Sequence, residues 1–153
     1  MKKLLLILVA VMGLTFAASA QDSGKAIGAR FGGGTGSGVE FSFQQLLGEN
    51  NRIELDAGYS TGEYINAAAA YHWRFPIAGD FNWFIGPAAN VGFCINHGLG
   101  LSAGVQGGAE WNPTNIPLQI SLDGRPMYDF LMDPNCIYRG FIYGVALGVR
   151  YKL

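Results

Sequence analysis

An all-β fold of eight antiparallel strands, closed into an up-and-down barrel, is the class that this sequence predicts. Three observations predict it. In the final stretch, 141–153, Phe141, Tyr143, Val145, Leu147, Val149, Tyr151 and Leu153 are all large and apolar. The residues between them are small or charged, Ile142 excepted. Such strict period-two alternation is a β-strand with one apolar face. Composition points the same way: 23 of the 153 residues are glycine and only 14% are charged, where a soluble domain averages about 7% and about 25%. Finally, the alternation recurs along the chain from residue 26 onward, punctuated by turn residues, and no helical amphipathic pattern competes with it.

The strands follow in order. The first, near 26–32, sets Ile27, Ala29 and Phe31 on one face and Arg30 on the other. Glycines at 32–36 and Ser37 then turn the chain. The second, near 38–46, alternates Val39, Phe41 and Phe43 with Glu40, Ser42 and Gln44, and ends at a Gly48-Glu49-Asn50-Asn51 turn. The third, near 52–60, opposes Ile53, Leu55, Ala57 and Tyr59 to Arg52, Glu54, Asp56 and Ser60. The fourth, near 64–75, opposes Ile65, Tyr71, Trp73 and Phe75 to Asn66, His72 and Arg74. Pro76 to Asn82 breaks the pattern. The fifth, near 83–94, carries Trp83, Ile85, Val91 and Phe93, and the sixth, near 98–111, carries Leu99, Leu101, Val105 and Trp111 opposite Gln106 and Glu110. The seventh, near 117–130, sets Leu118, Ile120 and Leu122 against Gln119, Asp123 and Arg125. A loop from Leu131 to Tyr138 leads into the eighth.

The chain begins differently. Residues 1–20 read as a secretory signal peptide: a basic start (Lys2, Lys3), an apolar core (Leu4 to Leu14) and a small-residue cleavage site, Ala18-Ser19-Ala20. The apolar core is too short to span a bilayer, which takes about 20 residues. Residues 21–153 are then one barrel domain. Loss of the two lysines leaves 8 basic against 11 acidic residues, a net charge of −3, which gives no support for nucleic acid as a partner.

Alternation alone leaves the direction of the apolar face open. A soluble lipocalin-like carrier points it inward, and a membrane barrel points it at lipid. Small residues dominate the minority face, as suits a narrow lumen. Its charges also balance: Arg30, Arg52, Arg74, Arg125 and Arg150 against Glu40, Glu54, Asp56, Glu110 and Asp123. Buried charges are tolerable only when paired, and these are numbered for pairing. Aromatics fall near strand ends, with Trp73, Phe75, Trp83, Trp111 and Tyr151 at one rim and Phe31, Tyr59, Phe93 and Phe141 at the other. Two aromatic belts around an aliphatic band is the membrane-interface pattern. The prediction is a transmembrane barrel with the charge network inside.

On these grounds the chain resembles the small eight-stranded outer-membrane barrels of Gram-negative bacteria, of the OmpX and OmpA transmembrane-domain type in the porin-like superfamily. The segments 82–87 and 116–126 look like small barrels of the Bacteroidetes type. The resemblance implies the cell outer membrane as the location, with its lipid and lipopolysaccharide as surroundings. It also implies recognition by the barrel-assembly machinery through the last strand, where Val149, Tyr151 and Leu153 would carry the assembly signal. The terminal residue of that family is usually Phe, and here it is Leu153.

Candidate chemical sites are few. His72 and His97 lack the His-Ser pairing that lipid-modifying barrels of this kind use. Asp129 and Asp133 lack the ligand spacing of a calcium loop, and the glycines at 32–38 lack a phosphate-loop lysine. No catalytic, cofactor or metal site is predicted. Cys94 and Cys136 both fall at the outer end, where an oxidising compartment would allow a bridge between the third and fourth outer loops; two free thiols are the alternative. An eight-stranded barrel is filled by its own side chains, and its outer loops are short. The expectation is a non-enzymatic structural or surface-interaction protein, with a narrow pore for ions or small solutes, a lipid-modifying enzyme and a soluble carrier as alternatives.

Overall fold

The computed structural model describes residues 24–153, so the signal segment lies outside the described residues. Ten strand segments run β1 (Lys25–Gly34), β2 (Gly38–Leu46), β3 (Asn51–Ser60), β4 (Tyr64–Ala78), β5 (Phe81–Cys94), β6 (Gly98–Trp111), β7 (Leu118–Gly124), β8 (Met127–Asp129), β9 (Gly140–Ile142) and β10 (Gly144–Lys152). They form eight staves, because β7 continues into β8 and β9 into β10. Every pairing is antiparallel, and the order of neighbours follows the chain.

Closure is made by β1 against β10, with Ile27 opposite Tyr151 and Phe31 opposite Leu147. This pairing removes both sheet edges, so no row of unpaired backbone groups is left for another chain or for lipid to meet. The last strand is therefore the seam of the barrel. Gly24 and Leu153 lie at one end, called here the terminal end. Gly34, the 61–63 turn, Ile95 and the 130–139 loop lie at the other, the lid end.

The seventh and eighth staves each contain an interruption that period-two alternation does not reveal. Arg125-Pro126 separates β7 from β8 because Pro126 has no N–H to give the ladder; its carbonyl still accepts from the Val105 N–H at 3.1 Å. At Tyr143 the backbone turns aside to the 35–37 turn: its carbonyl accepts from the Thr35 N–H at 2.9 Å, and its N–H donates to the Thr35 hydroxyl at 3.0 Å. Pro76, expected to end the fourth strand, instead sits within β4. There it pairs with Asn82 next to a bulge at 76–78, close to the strand end where a missing N–H costs little.

The faces are sorted cleanly. Leu55, Val105, Leu122, Leu147 and Val149 point outward with a third to a half or more of their surface exposed, while Arg52, Glu54, Gln106, Glu110 and Arg150 are 0–1% exposed inside. Aromatics cluster at both ends of the exterior. Trp73, Phe75 and Trp83 adjoin one another at the terminal end, with Phe75 and Trp83 stacked at 4.5 Å. Phe31, Tyr59 and Phe93 ring the lid end, linked through the cross-strand pairs Phe31–Val39, Val39–Tyr59, Tyr59–Ile65 and Ile65–Phe93.

Candidate functional site: a plugged lumen with two unlike ends

Every second residue of each stave reaches the lumen, so the sequence alternation converts directly into a list of lumen residues. All ten charged residues of the minority face lie there, and each has an oppositely charged partner within 4 Å. They form two clusters. Toward the lid end, Arg30 pairs with Glu40 and Asp123 and stands 3.7 Å from Asp56 and 3.8 Å from Glu54. Arg125 pairs with Asp56 and reaches Glu40 at 3.3 Å and Glu54 at 3.6 Å. Arg150 closes this cluster, donating to Glu54 at 3.0 Å, to Ser42 at 2.9 Å and to Ser121 at 2.8 Å.

Toward the terminal end, one carboxylate serves two guanidinium groups. Glu110 accepts from Arg52, from Arg74 at 2.9 Å and from the Gln119 amide at 2.8 Å. Gln106 braces the lid-side cluster, donating to Glu54 at 2.8 Å and to Asp123 at 3.1 Å while accepting from Arg125 at 3.0 Å. Gln44 adds a further donor to Glu54. This density of charge-assisted bonds is what makes four buried Arg side chains, and the partly exposed Arg74, tolerable.

His72 is part of this wall. Its Nδ1 accepts from Arg52 Nε at 3.1 Å, which in the neutral ring leaves the proton on Nε2. Phe84, buried at 1% exposure, fills the space beside both: its ring lies 4.4 Å from the Arg52 guanidinium and 4.7 Å from the His72 ring. Phe84 departs from the pattern of large apolar residues facing outward, and its parity with Gly86 and Asn90 puts it inside. At mid-height the lumen is occupied by side chains, with Arg52, Arg150, Glu54 and Gln106 all buried.

The 130–139 loop covers part of the lid end. Cys94 and Cys136 form a disulfide that ties the end of β5 to the 130–139 loop. Tyr138 stacks on Tyr64 at 3.9 Å and donates its hydroxyl to the Thr61 carbonyl at 2.9 Å. Met127, Met132 and Ile142 complete a buried apolar cluster with them. Asp129 organises the loop, its carboxylate accepting from the N–H groups of Leu131 (3.0 Å) and Met132 (2.6 Å). Two glycines make room for the tyrosines: a Cβ at Gly92 would collide with the Tyr64 hydroxyl, and one at Gly36 with that of Tyr138. Beneath the cap is a small cavity of about 110 Å³ bordered by Glu40, Asn66, Asn90, Arg125 and Tyr64. His97 lies on the outside, 3.8 Å from Asp133, whose carboxyl is held below the usual range first by the backbone N–H and then by the side chain of Asn135. The sequence signal for the cap was Ile142, the one apolar residue out of phase in the last stretch.

The terminal end opens into a vestibule of about 630 Å³. Lys25, Lys152, Gln44, Gln119 and Arg52 stand in its wall. Of the residues expected to carry an assembly signal, Val149 and Tyr151 face outward from β10, and Leu153 lies at the vestibule rim, its N–H donating to the Lys25 carbonyl at 2.9 Å.

Neither a protein-family model nor a curated protein matches this sequence. Solved structures do match. Neisserial surface protein A is similar at a TM-score of 0.63 and 13% identity, covering 84% of this chain and 95% of that one. A de novo designed transmembrane β-barrel is similar at 0.59 and 12%, covering 87% and 98%. At such identities the likeness is one of fold: this chain is a closed eight-stranded antiparallel β-barrel.

Proposed function

We propose that this protein is an integral outer-membrane barrel with a structural or surface-interaction role, and that it is neither an enzyme nor a conducting pore. The observation that carries the reading is the inverted distribution of polarity. Large apolar side chains cover the exterior, while ten paired charges fill the interior. In water that arrangement would leave a continuous apolar surface far larger than soluble monomers display. In a bilayer it satisfies every requirement, since only a closed barrel or a helix can cross without orphaned backbone groups.

A non-conducting role is supported by the filled mid-lumen, where Arg52, Arg150, Glu54 and Gln106 are at most 1% exposed. A non-enzymatic role is supported by the partners of the polar groups: His72 is engaged by an arginine rather than by a serine or carboxylate. The terminal end then faces the periplasm and the lid end the exterior, and the partners are outer-membrane lipid, lipopolysaccharide and the barrel-assembly machinery. Membrane fractionation with heat-modifiability electrophoresis tests the placement, and recovery in the soluble periplasm would overturn it. Planar-bilayer recording tests the sealed lumen: no current above background is expected, and discrete steps would establish a pore instead. Unaltered lipid A on overexpression is the expected outcome for a non-enzyme.

A further inference from the structure

We infer that the vestibule at the terminal end is a binding site for a small soluble oxyanion, a phosphate or a carboxylate. Its wall carries three cationic side chains, Lys25, Arg52 and Lys152, whose ammonium also donates to the Pro113 carbonyl, and among the described residues no aspartate or glutamate side chain. The Leu153 carboxylate at the rim offsets one of these charges. Immediately behind the wall, Glu110 is shared between Arg52 and Arg74, so that cluster retains one positive charge. Glu54, the next acid inward, is taken up by Arg150, Gln44 and Gln106.

A second observation points to a ligand. Arg52 is 1% exposed, yet its Nη2 has no hydrogen-bond partner, and His72 Nε2, whose neighbour Nδ1 is bonded to Arg52, has none either. A buried N–H without an acceptor is costly and is normally satisfied by a guest or by water. A guanidinium with an unpartnered donor, in a concave wall with two ammonium groups and, among the described residues, no acidic side chain, is the chemistry that recognises an oxyanion. The inference goes beyond the structural role proposed above. Failure of the membrane placement would appear as aqueous partition and would leave anion binding intact.

The test is calorimetry on the folded protein in a non-ionic detergent at low salt, titrating inorganic phosphate and, separately, succinate. Saturable binding near one site per chain is expected for at least one of them. The Lys25→Gln/Lys152→Gln double variant should weaken it by about tenfold, as loss of charge-assisted contacts predicts, while Arg139→Gln at the opposite end should leave it unchanged. If the double variant does not assemble, Asn112→Asp, which adds a carboxylate to the wall, should produce the same loss. Absence of saturation with both anions overturns the proposal. So does equal affinity in the wall variants.

Discussion

The two ends of the lumen use the same side-chain types to opposite effect. At the lid end, three arginines (Arg30, Arg125, Arg150) meet four carboxylates (Glu40, Glu54, Asp56, Asp123), and the mouth above them is narrowed by tyrosines, methionines and a disulfide. At the terminal end, two arginines share one carboxylate beneath an open basic vestibule. The ten charges cancel overall, but acid is in excess on one side and base on the other. Removing one carboxylate should therefore have very different consequences in the two clusters.

That contrast gives the largest expected effect. Glu110→Gln strips both Arg52 and Arg74 of their only carboxylate within 4 Å among the described residues. Breaking a buried pair in this way costs about 3–5 kcal/mol, reduced to the extent that Arg74, 12% exposed, is already partly hydrated. Asp123→Asn in the acid-rich cluster leaves Arg30 with Glu40 and, farther off, Asp56 and Glu54. It should cost distinctly less. Urea unfolding in lipid vesicles measures both, and equal losses would mean the two clusters behave as one network.

The exterior provides the next test. Leu147 faces outward from β10, opposite Phe31 and Leu122, near the middle of the apolar band. Leu147→Arg should destabilise the inserted barrel by about 2–4 kcal/mol, the range for a cation at the bilayer midplane. A water-exposed position would tolerate the same change with little loss. Folding yield into vesicles reads the difference.

Much of this was legible from residue parity. Once period-two alternation is recognised, all ten lumen charges and the eight staves follow, because a strand cannot hide which residues share a face. Pairing partners within the lumen were not legible. Arg30 reaches Asp123 and Arg150 reaches Glu54 across 93 and 96 residues, contacts set by barrel closure rather than by any local spacing. The cap was hidden for a different reason. Tyr64, Met127, Met132 and Tyr138 are apolar or amphipathic residues on the polar face or in a loop, and alternation alone treats them as noise. The orphaned donors behind the vestibule likewise appear only when every neighbour has been placed.

The disulfide separates the two ends more gently. Joining residues 42 positions apart in sequence, it should contribute about 2–4 kcal/mol, and Cys94→Ser with Cys136→Ser should lower thermal stability accordingly. The opening should be confined to the cap: hydrogen exchange should rise in 130–139 and remain slow in β3 and β10. Uniformly faster exchange would show that the cap and the charge network unfold together.

The smallest effect isolates the cap without touching the disulfide or any charge. Gly92 lies under the Tyr64 ring, so Gly92→Ala forces a methyl against the Tyr64 hydroxyl. Tyr64 must shift, and with it go the bond from Asn90 Nδ2 at 2.8 Å and the 3.9 Å stack with Tyr138. Overpacking of this kind costs about 1–3 kcal/mol, toward the lower end here because the 110 Å³ cavity beside Tyr64 can take up part of the displacement. The fluorescence of an environment-sensitive probe attached at Ile137→Cys, on the exposed side of the loop, should report a loosened cap while anion titration at the terminal end is unchanged. A change in vestibule affinity instead would show that the ends are coupled through the lumen, and that the mid-barrel charges transmit displacement rather than isolate it.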